Sequence, residues 1–409
     1  MALAVSTLGG CGTTSPSNKD ITLHVVATDY SGLKTASPVA QTWNSLARSF
    51  EERNPHITID VQFVPVVSAD TEVATMVRDG RAPDLAQLDS YSPFIADNDL
   101  YSADDLFPIS MQSAFIPSLV DAGSVDRVQY GIPWVASTRM FFYNKKLFAQ
   151  AGIKHAPESW DDVRRDAVKL KDNGVKVPVG LPLGPQEAEA ETMMWMLGDD
   201  GGYTDSVGSY SLDSVRNVDA FSWLKKNLVE PGLVGPKDPA KTSVSDAFSD
   251  FLAGRTGMLD GHLTLLPSAK AAGIDVGVVP LPGKTGPSSQ ALANADWMMA
   301  FRQNGHRDAD AKFLQYIYSE ANLLKFQQEY KLLPVTVEVA EAVRTNPEYR
   351  DLVPFLDLLS DAAFYPVDKP SWGPVSAALK KAIGQAVHGD PKAILVGLQR
   401  DAQMRDKQH

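Results

Sequence analysis

Apolar residues recur along this chain with two alternating periods. Ile21-Thr-Leu-His-Val-Val26 predicts a strand, and Val39, Trp43, Leu46 and Phe50 then return at helical spacing until Asn54-Pro55 stops the helix. Ile57, Ile59, Val61 and Phe63 alternate with polar neighbours, the pattern of a strand with one face covered. A short helix carrying Val73, Met76 and Val77 ends at Gly80, and Pro83-Asp-Leu-Ala-Gln-Leu88 predicts a third strand. This β-α-β-α-β order favours a parallel sheet with right-handed crossovers.

A second α/β unit follows. It opens with Tyr130-Gly-Ile-Pro-Trp134 and the apolar run Met140-Phe-Phe-Tyr143. Ser159 then caps a helix whose inward stripe is Trp160, Val163, Ala167 and Leu170, with Asp162 completing a capping box and Asn173-Gly174 ending it. Val177 to Leu181 predicts a strand, Glu187 to Leu197 a helix, and Ser214 to Glu230 another helix stopped by Pro231-Gly232. Beyond Gly277-Val-Val-Pro-Leu281 lies a stretch rich in Gly, Pro and Ser. The strand-like Trp297-Met-Met-Ala-Phe301 comes next, then a helix from Asp308 to Tyr330 and mostly helical sequence that includes Val375 to Val387. No repeat of fixed period is present.

Length and charge narrow the picture. At 409 residues the chain exceeds a usual single core, so two lobes are expected. Its 38 Lys+Arg against 50 Asp+Glu give a net charge of −12, which repels phosphate backbones and anionic lipid surfaces and excludes a nucleic-acid partner. The single cysteine, Cys11, rules out an intramolecular disulfide framework and a cysteine-built zinc site. Met1 to Cys11 is small and apolar and is followed by the polar Gly12 to Asn18, the pattern of an export signal and a tether. Leu8-Gly9-Gly10-Cys11 resembles a bacterial lipobox, which would make Cys11 the lipid-bearing mature N-terminus; no Lys or Arg precedes it, so a start further upstream is expected.

Enzyme signatures are missing from the sequence. The nearest phosphate-loop lookalike, Gly277 to Thr285, has one residue too many between its glycines and two prolines where backbone N–H groups are needed. There is no Gly-x-Ser-x-Gly elbow and no His-Glu-x-x-His, and the seven histidines are scattered singly. Neither a metal nor a cofactor is expected.

Seven short segments occur in an informative order. They are Gly80-Arg-Ala-Pro-Asp84, Tyr130-Gly-Ile-Pro-Trp134, Phe142-Tyr-Asn-Lys145, Pro157-Glu-Ser-Trp-Asp161, Phe251-Leu-Ala-Gly-Arg-Thr-Gly-Met258, Val279-Pro-Leu-Pro282 and Leu332-Leu-Pro-Val335. In this order the chain resembles the extracellular solute-binding proteins of bacterial ABC importers, specifically the carbohydrate-binding group that includes maltose-binding protein, from Ile21 to about Gln399. The resemblance implies an α/β fold of two lobes joined by a hinge, with the ligand held in the interlobe cleft. Carried onto this chain, residues 1–19 are the signal remnant, lipobox and tether; 20–135 plus 291–330 form the first lobe; 136–290 plus 331–409 form the second. It further implies a lipoprotein on the outer face of the cytoplasmic membrane, touching the bilayer only through its lipid. As a monomer it would capture a sugar or short oligosaccharide and deliver it to an ABC permease with its ATPase.

Ligands of open α/β sheets sit beyond the carboxyl ends of strands. Asp29 and Tyr30 follow the first strand, and Asp89, Ser90 and Tyr91 follow the third; in the resembled family these places face the cleft. Ser137, Thr138 and Arg139 occupy the turn into the second lobe, and Asp296 adjoins Trp297. Each carboxylate also fits a helix cap or a solvated turn. A sugar wants paired acceptors for its hydroxyls and a ring against its C–H face. Trp43, Trp160 and Trp223 lie on amphipathic helices and are assigned to the core. Trp134, Trp195, Trp297 and Trp372 fall at junctions that the resemblance brings to the cleft, with Trp372 at a position that stacks on a sugar ring. His262 stands where the resembled proteins commonly have Trp. A secreted glycosidase remains the alternative, since a cleft of carboxylates and aromatics serves both roles.

Overall fold

The computed structural model describes residues 20–29 and 37–408, so the export segment with Cys11, and Tyr30, lie outside the described residues. Ten strands are described: β1 (Ile21–Asp29), β2 (Ile57–Pro65), β3 (Leu85–Leu88), β4 (Ser124–Val125), β5 (Val128–Gln129), β6 (Ile132–Asn144), β7 (Val177–Gly180), β8 (Thr256–His262), β9 (Val276–Val279) and β10 (Ala293–Ala300). Strands β4 and β5 make a small hairpin. The other eight join in the order β2-β1-β3-β10-β6-β8-β7, with β9 also on β6.

Strand β6 explains how one sheet serves two lobes. Its first half, Ile132–Thr138, pairs antiparallel with β10, and its second half, Arg139–Asn144, pairs with β8 and β9. The partner sheet therefore changes between Thr138 and Arg139. On one side β1, β2 and β3 run parallel as their β-α-β-α-β order dictates; on the other β7 runs parallel to β8. The fold is the two-lobed arrangement expected from the sequence. Other segments pass near the same junction: Leu292 bridges Ala363, and Leu333 and Thr336 bridge Ala136 and Phe115. Helices Trp372–Ala382 and Pro391–Asp406 then pack on Ala188–Leu197 and Val215–Leu224 in the second lobe.

Local chemistry sets the elements. Helix Pro38–Glu51 begins where the Ser37 side chain accepts the Ala40 N–H, and helix Trp160–Asp172 carries the full Ser159/Asp162 capping box. The predicted helix 308–330 is two helices, Arg307–Ile317 and Glu320–Tyr330. Ser319 is extended between them, and Tyr318 turns inward, its hydroxyl donating to the Pro133 carbonyl at 3.0 Å. Gly80 takes φ +71° just past helix Ala69–Arg78, a conformation that side chains with a Cβ rarely adopt.

The Gly80–Asp84 segment has a structural purpose. Asp84 is fully buried and accepts from the His24 N–H at 2.8 Å, Asn304 Nδ2 at 3.1 Å and His306 Nδ1 at 2.9 Å, tying the start of β1 to the loop after β10. Burial, and then Asp84, push nearby Asp310 up to about 9, so this second buried carboxyl is carried uncharged.

Candidate functional site

A cavity of about 990 Å³ lies where the two lobes meet. Its first wall comes from the carboxyl ends of first-lobe strands: Asp29 closes β1, Val66, Val67 and Asp70 follow β2, and Asp89 follows β3. Its second wall is built from Glu187 and Glu189 at the start of helix Ala188–Leu197, His262 and Thr264 at the end of β8, Tyr365, and Lys380. The floor is the interlobe junction, with Val135, Ala136, Ser137 and Arg139 from β6, Asn294 and Asp296 from β10, and Leu292 and Leu332. Floor residues are held by backbone pairing: the Arg139 N–H donates to the Leu292 carbonyl at 2.9 Å and Ala136 N–H to Leu333 at 3.1 Å.

The second wall is a network of paired charges. Arg139 lies 2.6 Å from Glu187 and 3.5 Å from Asp260, which is 1% exposed. Burial works against the guanidinium charge, yet Asp260 and Glu187 more than offset it, and its pKa ends above the ordinary value. Lys380 meets Glu189 at 2.8 Å. Below them Glu191 is fully buried; burial, then the Asp260 charge, raise it well above the carboxylate range, so it keeps a proton. Burial, and then Arg139, push His262 down to about 4, which leaves a neutral imidazole 2.6 Å from the Thr264 hydroxyl.

The first wall differs. Asp296 accepts from Gln87 Nε2 at 2.7 Å, and Asp70 accepts the Asp89 N–H at 3.2 Å. The Asp89 carboxylate faces the cavity and has no hydrogen bond or ion pair with a described residue. It sits deep in the cleft while remaining open to cavity water. Removal from bulk solvent, then repulsion from Asp296, push it up to about 7; removal from solvent, then Asp89, do the same to Asp70.

Six of the residues singled out in the sequence share this cavity: Asp29, Asp89, Ser137, Arg139, His262 and Asp296. Tyr30 lies outside the described residues, and the structure places the remaining ones elsewhere. Tyr91 is fully buried edge-on to Trp297, its hydroxyl donating to the Ala122 carbonyl at 2.7 Å, and neighbouring Ser90 does not line the cavity. Successive side chains of β10 point to opposite faces, so Asp296 lines the cavity while Trp297 is in the core. Trp134 packs against Trp43, Phe326 and Tyr318. Trp195 stacks on Trp223 and donates its indole N–H to Glu191 at 2.7 Å. Trp372 is 6% exposed and lies behind Tyr365, stacked at 5.3 Å and 24°.

Sequence reasoning missed Asp70, Glu187, Glu189, Tyr365 and Lys380. Asp70 was within reach, since it follows the second strand as Asp29 and Asp89 follow the first and third. Tyr365 stands seven positions before Trp372 and carried the same aromatic signal. The Lys380–Glu189 pair joins helices nearly two hundred residues apart and leaves no local trace.

A family model described as bacterial extracellular solute-binding protein matches residues 36–323. The chain belongs to this family. A Brucella abortus (strain 2308) protein, named as a binding protein without a stated ligand, is 28% identical over 367 residues, covering 86% of this chain and 87% of its own length. The maltotriose-binding protein of Pyrococcus abyssi (strain GE5 / Orsay) is 23% identical, covering 88% and 78%. The sn-glycerol-3-phosphate-binding periplasmic protein UgpB of Escherichia coli (strain K12) is 23% identical, covering 75% and 74%. Among solved structures, the sugar-binding protein MalE of Xanthomonas citri superposes with a TM-score of 0.77 at 20% identity, over 95% of this chain and 98% of its own. Membership of a solute-binding family speaks for binding and against the glycosidase alternative. No helix among the described residues is long and apolar enough to cross a membrane.

Proposed function

We propose that the interlobe cavity captures a sugar or short oligosaccharide, and that closure of the lobes around it presents the loaded protein to a membrane permease driven by its ATPase. The observation that carries this reading is one cavity in which carboxylate acceptors on one wall face the Tyr365 ring on the other. Sugar hydroxyls donate to carboxylates, and the sugar's C–H face packs on a ring. Tyr365 takes the stacking role the sequence suggested for Trp372, while Trp372 and Tyr203, whose ring centroids lie 5.3 Å from Tyr365 and 5.1 Å from Trp372 respectively, fix its tilt. Asp89, Asp29, Asp296, Ser137 and His262 would bind hydroxyls. The protein would act as a monomer, held at the outer face of the cytoplasmic membrane by a lipid on Cys11.

A phosphate-bearing solute of the kind the UgpB relative is named for suits this cavity less well. Among the described residues the two cations that line it, Arg139 and Lys380, are already paired with carboxylates, and the opposite wall is acidic. A thermal-shift screen of mono- and disaccharides with sn-glycerol-3-phosphate in the panel decides between them, because a solute bound only by the folded form raises the melting temperature. Stabilisation by a sugar that is recovered unchanged supports the reading. Stabilisation by the phosphate alone overturns it.

A further inference from the structure

We propose that the solute carries a positively charged amino group on its polyhydroxylated body, as an amino sugar or aminocyclitol does, and that Asp89 with Asp70 receives the charge. The inference rests on the sugar reading above and narrows it. Charge pairing is where it begins. Of the cavity's cations, Arg139 is held by Glu187 and Asp260 and Lys380 by Glu189, all on the second wall. Asp70 and Asp89 are left facing the cavity with no cation in ion-pair contact among the described residues.

Three observations point the same way. Glu189 is 8% exposed and meets Lys380, so that cation is held on the second wall. Burial and repulsion from Asp296 outweigh the attraction of Lys380 and hold Asp89 at about 7, and burial with Asp89 does the same to Asp70, so the empty site retains protons that an ammonium would displace. Tyr365 is the one Tyr, Phe or Trp among the described lining residues, so recognition falls mainly to polar groups rather than to a row of stacked rings.

Neutral hydroxyls can donate to these carboxylates but leave their mutual repulsion in place. An ammonium group donates up to three hydrogen bonds and removes that repulsion. No group of three or more His, Cys, Asp or Glu side chains among the described residues could hold a metal ion. An organic cation is therefore the fitting counter-charge.

Calorimetry on the full chain tests this with matched pairs: glucosamine, galactosamine and the di- and trisaccharides of chitosan, against glucose, galactose, maltose, maltotriose and the N-acetylated counterparts. The amine-bearing member should bind about tenfold or more tightly than its neutral partner. Its binding near pH 7 should release protons, seen as a heat that varies with the ionisation enthalpy of the buffer. Asp89→Asn, and separately Asp70→Asn, should shrink the amine-to-neutral affinity ratio to about twofold, whatever they do to each affinity alone. Neutral sugars binding as tightly as the amines would overturn this inference and leave the sugar reading standing. Silence from both classes would remove both.

Discussion

On the second wall of the cavity Arg139 is clamped between Glu187 and Asp260, and Lys380 meets Glu189; on the first wall Asp70 and Asp89 adjoin with no ion-pair partner among the described residues. Both walls are rich in carboxylates, yet only the second sets cations directly against them. On the paired wall the cation–carboxylate contacts fix the start of helix Ala188–Leu197 and the end of β8 against β6. The unpaired wall sets Asp70 and Asp89 side by side with no cation in contact, a repulsion that destabilises the empty protein and is relieved when donors arrive. Charge pairing thus separates scaffold from solute-facing surface more sharply than residue type does.

Breaking the paired wall should have the largest effect. Arg139→Ala leaves Asp260 buried beside Glu187 with no cation, and removing one partner of a buried pair destabilises by about 3 to 5 kcal/mol. Urea unfolding of the ligand-free protein should show that loss. A change below about 1 kcal/mol would mean the wall tolerates unpaired charge and the contrast between the walls is false.

The aromatic side of the paired wall gives the next largest effect. Tyr365→Ala should weaken solute binding by about 1 to 3 kcal/mol, the loss of one ring's burial against a ligand. Trp372→Ala acts only through the tilt of Tyr365 and should weaken binding less. Calorimetry on the two variants with the same solute ranks them; the reverse order would put the stacking surface on Trp372 after all.

The same contrast shows what was legible in the sequence. Hydrophobic periodicity located the strands and the parallel order of β1, β2 and β3, because periodicity is a local property of the chain. Asp29 and Asp89 were found because strand ends are local too, and His262 through the family resemblance. Trp134, Trp195 and Trp297 were misleading, since a tryptophan at a junction looks alike whether it turns to the cleft or the core. In β10 the alternation of faces gives the cavity Asp296 and the core Trp297. The pairing of Lys380 with Glu189 and of Arg139 with Glu187 depends on tertiary geometry, so the difference between the walls was invisible until the elements were assembled.

The smallest expected effect is the one most specific to the unpaired wall. Asp89 is raised from 3.8 to about 7 in the folded protein, so the folded form holds its proton more tightly than the unfolded chain. Below about pH 4 both forms are protonated and the group has no effect on stability; as pH rises towards 7 the unfolded chain ionises first, and stability falls. Asn cannot ionise, so Asp89→Asn should match the parent near pH 4 and exceed it above pH 7. Cavity water screens the carboxylate, which reduces the gain to about 1 kcal/mol. Melting temperatures of the ligand-free proteins at pH 4.5 and 8 give the comparison. A variant no more stable than the parent at pH 8 would mean that Asp89 already has a compensating partner, and the first wall would then be as internally satisfied as the second.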